Sequence, residues 1–286
     1  MKSQLAVKTF VTGGTGFIGS YFINRAMKRG YHLVCSHRAA SQPRKNIVQE
    51  PEWVKGALCG DFTSTMEGCD TFVHLAACGV SPQIATKDEL LKVNVVDSFK
   101  LIQSAASAGI KKFLIMGTSD EYGRSGIRYK FIPTDAPLEP TSNYAASKAA
   151  LFQLLHAFTI ENNIKLIYAR IFHAYGIGQH EDNLWPSMRT AALSGVDYNL
   201  TPGEQVRAFT PVEEVANQLV KLMTFTNVED GIPLTINIGS ERFQTIRNFA
   251  EYWWKEWGAK GELRFGTKPY RKNEVMRYVP LIEGFK

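Results

Sequence analysis

Long apolar runs, closely spaced cysteines and short repeats are what this 286-residue sequence lacks. No apolar stretch approaches the ~20 residues a membrane span needs, so no membrane association is expected. The four cysteines, Cys35, Cys59, Cys69 and Cys78, stand too far apart for a C-x-x-C metal or redox pair. Each sits in an apolar or turn context and reads as a small buried hydrophobe of a protein from a reducing compartment; no metal site is expected. The absence of a short period, with 44% hydrophobic residues, excludes coiled coil, collagen-like and disordered chains. Met1-Lys2-Ser3-Gln4 runs almost directly into a strand-like Lys8-Thr9-Phe10-Val11, without the apolar region and cleavage site of a secretory signal. A cytoplasmic location is expected.

Acidic residues are the scarcer charge, 27 against 33 basic, for a net +6. An excess this mild fits an anionic ligand as well as nucleic acid. A nucleic-acid binder needs basic residues interleaved with stacking aromatics on one face. The stretch 255–286 mixes eight basic with four acidic residues and does not support that reading. No nucleic-acid partner is expected.

What is present is an alternation. Strand-like runs at Phe10-Val11, 32–35, 71–75, 113–116 and 166–171 are separated by helical patterns at 20–29, 88–108 and 144–162. Strand, helix, strand repeated in this way implies an α/β fold with a parallel sheet covered by helices on both faces, a Rossmann-type doubly wound architecture. Near-continuous apolar strands are what such a sheet requires. After about residue 172 the segments shorten, Gly and Pro punctuation rises, and Trp253, Trp254 and Trp257 cluster. The expected organisation is a cofactor-binding Rossmann domain over 1–172, with 212–238 returning to it, and a smaller α/β substrate domain in the rest of 173–286.

Val11-Thr12-Gly13-Gly14-Thr15-Gly16-Phe17-Ile18-Gly19 follows the first strand and opens a helix. Gly14, Gly16 and Gly19 spell G-x-G-x-x-G; Gly13, Gly16 and Gly19 spell the wider G-x-x-G-x-x-G. Either spacing allows a tight turn, close backbone approach and a pyrophosphate against free N–H groups at a helix N-terminus. Gly13, Gly16, Phe17, Ile18 and Gly19 are therefore expected to bind a dinucleotide. An acidic residue at the end of the second strand would hold the ribose 2′-hydroxyl of NAD. This chain has Ser36-His37-Arg38 there, with Arg44 and Lys45 soon after. A guanidinium suits a 2′-phosphate, so NADP(H) is expected in preference to NAD(H), with His37 and Arg38 as contacts. The competing reading of Arg38 is a solvated loop charge.

Tyr144 and Lys148 share a helix face at a spacing of four. A nearby ammonium is expected to lower the phenol from about 10 toward neutrality, as acid/base work requires. Upstream, the strand 113–116 ends in Gly117-Thr118-Ser119, at the edge of the sheet where α/β proteins bind ligands. A hydroxyl of Thr118 or Ser119 there can bond a reacting oxygen.

Together these residues resemble the extended short-chain dehydrogenase/reductases of the NAD-dependent epimerase/dehydratase family, which act on nucleotide sugars. The resemblance also rests on Gly60-Asp61-Phe62, His74-Leu75-Ala76-Ala77, Asn94, Arg170-Ile171-Phe172-His173-Ala174-Tyr175-Gly176 and Gly203-Glu204-Gln205-Val206-Arg207-Ala208-Phe209. It implies cofactor contacts from Asp61, Phe62, Leu75, Ala76, Ala77, Asn94, Tyr144, Lys148 and Phe172. It implies substrate contacts from Thr118, Ser119, His173, Trp185, Arg207 and Arg271, the two arginines clamping a pyrophosphate; Arg271 reads equally as a surface charge, His173 equally as a packed residue, and Trp185 as either a nucleotide cover or core. In the resembling family the helices at 88–108 and 144–162 build dimers, so a homodimer is expected, although their apolar faces fit an intradomain core as well.

Three departures stand out. His173 replaces the family's Asn, Ala208 replaces an Asp, and Asp120-Glu121 is slipped by one residue from the Asp-Glu pair of the 4,6-dehydratases. In extended chain that slip turns both carboxylates away from elimination chemistry. Epimerase and reductase remain, and Arg38 favours a reductase that exchanges NADPH each turnover. Residues 203–207 and 270–276 resemble, more loosely, CDP-abequose synthase-like enzymes. The implied reaction is NADPH-dependent reduction of a keto group, at C4, on a CDP-, dTDP-, GDP- or UDP-linked deoxyhexose, with 4-epimerase and then 4,6-dehydratase as alternatives.

Overall fold

The computed structural model describes residues 7–272 and 274–282. Six strands are laid down before the chain first leaves the central sheet: β1 (Lys8–Thr12), β2 (His32–His37), β3 (Glu52–Lys55), β4 (Thr71–His74), β5 (Lys112–Thr118) and β6 (Lys165–Ile171). Four two-residue strands follow outside it: β7 (Ala174–Tyr175), β8 (Tyr198–Asn199), β9 (Val206–Arg207) and β10 (Thr210–Pro211). The chain then returns as β11 (Leu234–Ile238), beside β6, and ends with β12 (Gln244–Thr245), β13 (Leu263–Arg264) and β14 (Arg277–Tyr278). The sheet order is β11-β6-β5-β4-β1-β2-β3, and every pair is parallel. The order reverses between β1 and β4, and the crevice at the carboxyl ends of these strands is where such a sheet takes a ligand.

The helices are α1 (Phe17–Lys28), α2 (Thr63–Met66), α3 (Lys87–Leu90), α4 (Ser98–Ser107), α5 (Asn143–Asn162), α6 (Leu184–Ser194), α7 (Val212–Leu222) and α8 (Ile246–Glu256). Burial divides them into layers. Phe22, Ile23 and Ala26 of α1 and Val215 and Leu219 of α7 pack on one face of the sheet. Leu101, Ile102 and Ala105 of α4 and Leu151 and Leu155 of α5 pack on the other. With both faces covered, β4 is buried along its whole length, its polar ends Thr71 and His74 included. This is the Rossmann-type doubly wound α/β fold that the alternation implied. Trp185, Met188, Phe249 and Trp254 form a separate aromatic cluster between α6 and α8.

The differences from expectation have local causes. β3 carries no alternating or apolar signal: it is a four-residue edge strand with its charged ends exposed. The helix expected over 88–108 is interrupted by a π-helical segment, Leu91–Asp97, centred on the buried Asn94. Cys35 and Cys69 are buried, but Cys59 is exposed and Cys78 only half-buried, so the reading of all four as buried hydrophobes holds for two.

Candidate active site

The turn between β1 and α1 is shaped by clearance. Gly13 adopts φ +76°, and a Cβ on it would lie 2.5 Å from the Ala76 nitrogen. A Cβ on Gly19 would lie 2.1 Å from the Gly13 carbonyl. The Gly16 N–H donates to that same carbonyl at 2.9 Å. At Gly14 an added Cβ meets chiefly the end of the Ile23 side chain, at 2.9 Å. Of the two spacings in the sequence, Gly13, Gly16 and Gly19 is therefore the one the backbone requires. Gly16 caps α1 with no side-chain bond, so Phe17 and Ile18 open the helix with N–H groups that have no partner within it. Such a cradle fits a pyrophosphate. Leu75 and Ala76 form its wall, with the half-buried Ala77 beyond them. Arg44 arches across the turn, with Nε donating to the Thr15 carbonyl at 3.1 Å and Nη1 to the Gly178 carbonyl at 2.6 Å. Burial lowers its pKa, partly offset by Tyr21.

The other expected cofactor residues divide. Arg38 is exposed just beyond β2, and the His37 ring packs edge-on against Trp53 at 5.7 Å. Asp61 is exposed just before α2, its Oδ1 accepting the Thr63 N–H at 2.9 Å; hydrogen bonding from the Thr63 side chain first, and then from its backbone, holds the carboxyl below the usual range. Three side chains of expected cofactor residues are engaged by the protein itself, Asn94 in the structural role usual for the resembling family's helix Asn. The Phe62 ring is buried against Phe10, 5.4 Å between centroids. The Phe172 ring is fully buried between Tyr122 and Tyr278. Asn94 is consumed by structure: its Oδ1 accepts from Cys78 N–H at 2.8 Å, and its Nδ2 donates to the Cys78 carbonyl at 3.1 Å and to Ser147 Oγ at 3.0 Å. It ties the loop after β4 to α5, and the π-helical segment is where the chain accommodates that tie.

Helix α5 starts at Ser142, whose hydroxyl accepts the Ala145 N–H at 3.1 Å, and so presents Tyr144 and Lys148 one turn apart. Tyr144 lines a cavity of about 420 Å³ together with Thr118 and Ser119 from the end of β5. Lys148 lies buried beneath, its pKa pulled down to about 8 by burial against the pull of Glu121 and Cys78. Tyr144 corrects the expectation of a lowered pKa. Burial first, then the Asp120 and Glu121 carboxylates, raises it. In this protein Tyr144 is held as a neutral phenol, a proton donor.

The slip at Asp120-Glu121 also resolves differently. Residues Ser119–Glu121 form a 3-10 turn, not extended chain. Thr118 Oγ1 accepts the Asp120 N–H at 3.3 Å, while Glu121 Oε1 accepts the Thr118 N–H at 2.9 Å. Asp120 thereby faces the cavity with its side chain exposed along it; desolvation and then the neighbouring Glu121 raise its carboxyl above the ordinary range, with Arg207 opposing. Glu121 turns inward and is fully buried. Its Oε2 accepts Arg170 Nε at 2.9 Å, and the Tyr168 hydroxyl sits between Glu121 Oε1 at 2.9 Å and the Lys148 carbonyl at 3.1 Å. Arg170 Nη1 continues to the Tyr122 hydroxyl at 3.1 Å, which donates to Asn237 Oδ1 at 2.7 Å. This carboxylate is locked below the catalytic helix.

The remaining expected substrate residues, His173, Trp185, Arg207 and Arg271, line the same cavity. Arg207 Nη2 pairs with Glu274 Oε1 at 3.0 Å; burial lowers its pKa and Glu274 opposes. Arg271 is exposed at the rim. His173 has φ +26°, a conformation that Asn and His both tolerate better than most residues, which accounts for the exchange of one for the other. Its imidazole is driven to about 3 by burial and by Arg207, and is neutral. Ala208 is fully buried among Tyr122, Ile132 and Tyr278, a space suited to a methyl group. Asp120, Tyr175, Gln179, Asn183, Phe209 and Phe249 also line the wall. Gln179 and Asn183 lie in a loop with no motif to mark them. Phe209 closes the 203–209 motif but has no polar atom to draw notice.

Among the described residues no group of three or more His, Cys, Asp or Glu is arranged to hold a metal ion, and no helix is long and apolar enough to cross a membrane.

Comparison with known proteins gives a consistent picture. The model of the NAD dependent epimerase/dehydratase family matches residues 9–239. UDP-glucuronic acid decarboxylase 1 of Xenopus tropicalis is 23% identical over 98% of this chain and 68% of its own. dTDP-glucose 4,6-dehydratase of an Actinoplanes species is 29% identical over 67% of this chain and 64% of its own. The crystal structure of UDP-glucose 4-epimerase with UDP-glucose from Thermotoga maritima shares the fold with a TM-score of 0.83, at 23% identity over 96% of this chain and 90% of its own. The chain is an enzyme of the NAD-dependent epimerase/dehydratase family, within the extended short-chain dehydrogenases/reductases.

Proposed function

We propose that the protein reduces a keto group, at C4, of a nucleotide-activated deoxyhexose (CDP-, dTDP-, GDP- or UDP-linked) with NADPH, working in the cytoplasm as a homodimer. The observation that carries this reading is the electrostatic setting of Tyr144. Burial and two neighbouring carboxylates keep its proton on, which suits a residue that must donate to a developing alkoxide. The locking of Glu121 against Arg170 weighs against 4,6-elimination, which needs a free Asp-Glu pair. Arg38, at the end of β2, supports a 2′-phosphate-bearing cofactor.

A bound nicotinamide supplies the hydride. The protein's residues do the rest. The turn at Gly13, Gly16 and Gly19, with the N–H groups of Phe17 and Ile18, holds the cofactor pyrophosphate. Thr118, with Ser119, orients the sugar oxygen, and Tyr144 Oη passes it a proton. Lys148, with a pKa of about 8, is mostly charged at neutral pH; it bonds the nicotinamide ribose and lowers the cost of the tyrosinate left behind. Arg207 and Arg271 clamp the substrate diphosphate, planar donors suited to it, with Arg207 exchanging Glu274 for phosphate. Exposed apolar Leu154 and Ile160 on α5, with Val96 in the π-helical segment, support a dimer face.

A 4-epimerase is the second reading. It is favoured by the likeness to the Thermotoga maritima enzyme and by the service Tyr144 and Lys148 give to either reaction. Tyr144→Phe tests the shared machinery: turnover should fall by about a hundred- to ten-thousandfold with NADPH binding retained. Unchanged turnover would remove Tyr144 from the chemistry.

A further inference from the structure

Glu121 lies outside the cavity yet reaches both elements that carry its chemistry. It is fully buried. Its Oε1 accepts the Thr118 N–H, at the end of β5, and the Tyr168 hydroxyl, each at 2.9 Å. That hydroxyl stands 3.1 Å from the Lys148 carbonyl of α5. A Cβ on Gly117 would lie 2.7 Å from Glu121 Oε1 and closer still to the Tyr168 ring, so the glycine before Thr118 leaves the room in which carboxylate and phenol meet. Glu121 Oε2 accepts Arg170 Nε at 2.9 Å. The guanidinium is held in turn by the Tyr122 hydroxyl and the Thr134 carbonyl, both 3.1 Å from Nη1, and lies 4.5 Å from the Phe152 ring centre.

A buried carboxylate loses its hydration, and an ion pair alone does not restore what is lost. Apolar side chains of the same volume would hold a strand end against a helix without that penalty, so the charge calls for a use. The groups around Lys148 supply one. Tyr144 stands one turn before it on α5. His74 of β4 faces it and is kept neutral by burial. Tyr168 of β6 meets its carbonyl. Cys78, from the loop after β4, is pushed up by burial and stays a thiol. Glu121, from the turn after β5, is thus the anion that opposes the desolvation of the ammonium.

We propose that Glu121 is a positioning residue for the Tyr144–Lys148 pair: it fixes the end of β5 against α5 and keeps one negative charge near the Lys148 ammonium. The inference rests on the reading of Tyr144 and Lys148 as the catalytic pair. NMR of the full chain labelled at lysine Cε, with the Lys148 signal assigned by its loss in Lys148→Met, reads the charge directly. The wild-type signal should titrate at about pH 8. Neutralising the carboxylate removes what favours the charged amine, so in Glu121→Gln the signal should titrate at lower pH. In Glu121→Asp, which keeps the charge, it should stay nearer the wild type. Kinetics read the geometry, through NADPH-dependent reduction of the 4-keto-6-deoxyglucose conjugates of UDP, dTDP, CDP and GDP and epimerisation of UDP-glucose with NAD⁺. On the substrate that turns over, Glu121→Gln should lower kcat by about ten- to a hundredfold with KM unchanged. Where Glu121→Gln fails to fold, Tyr168→Phe carries the test: loss of the hydroxyl between the carboxylate and α5 should lower kcat about fivefold at unchanged KM. Wild-type titration of Lys148 in Glu121→Gln, with stability alone reduced, would make the carboxylate a packing element and overturn the inference, as would unchanged kcat in either variant. Failure of the wild type to turn over any of these substrates would overturn the nucleotide-sugar reading, while the Lys148 titration would still decide the inference.

Discussion

Two histidines, His74 buried and His173 half-buried, show how differently the cofactor turn and the substrate cavity are built. His74 lies under the glycine turn, with Nδ1 2.7 Å from Thr12 Oγ1 and Nε2 3.1 Å from Ser98 Oγ. His173 lines the cavity, but its Nδ1 is enclosed by protein and has no partner among the described residues. Burial drives both to about 3, so both are neutral. One is bonded at both ring nitrogens; the other keeps one nitrogen without a partner among the described residues. The contrast extends around each histidine. At the turn, backbone shape and the absence of Cβ atoms make the site, and at the cavity, side chains do.

The sharpest way to break this contrast is to crowd the turn. Gly19→Ala places a Cβ against the Gly13 carbonyl, and overpacking of about 3 kcal/mol should cost about a hundredfold in NADPH affinity by equilibrium titration. Retained affinity would show that the turn yields. A smaller effect separates the histidines. His74→Asn should lower unfolding free energy by about 2 kcal/mol through lost bonding to Thr12 and Ser98, whereas His173→Asn should stay within about 0.5 kcal/mol; denaturant curves decide. Arg38→Ala should weaken NADPH about tenfold and leave NADH unchanged; equal weakening would return Arg38 to the solvated surface.

Acid should act through the same pair. An unfolded imidazole takes up its proton near 6.5, while the folded ones resist to about 3. The folded state therefore binds fewer protons across that window, and stability present above about pH 6.5 is lost as the pH falls toward 3. The slope for His74 should be about 1.4 kcal/mol per pH unit, shallower for His173, which opens on the cavity. Stability flat between pH 6 and about 4 would contradict the burial of these rings as neutral groups.

The turn was legible in the sequence because backbone demands restrict residue identity: a positive φ and a missing Cβ read as glycine at fixed spacing. Tyr144 and Lys148 were legible through helical periodicity, but the proton affinity of Tyr144 was not. Burial sets it first, and the carboxylates that add to it arrive from the 3-10 turn after β5, whose geometry a pattern of letters does not encode. That turn also undid the assumption of extended chain at Asp120-Glu121, sending one carboxylate to the cavity and the other into the Arg170 network. Asn94 and Phe172 were recognised as motif residues, yet their side chains serve packing and loop attachment. Gln179 escaped notice altogether, since a lone Gln in a loop becomes meaningful only when the fold brings it to the cavity wall.

The most direct test of the central claim is the stoichiometry of NADPH oxidised per nucleotide sugar converted, measured with 4-keto-6-deoxyhexose nucleotides as substrates. Net reduction predicts one NADPH consumed for each sugar reduced. Sugar conversion with no net consumption of NADPH would contradict it and make the enzyme an epimerase.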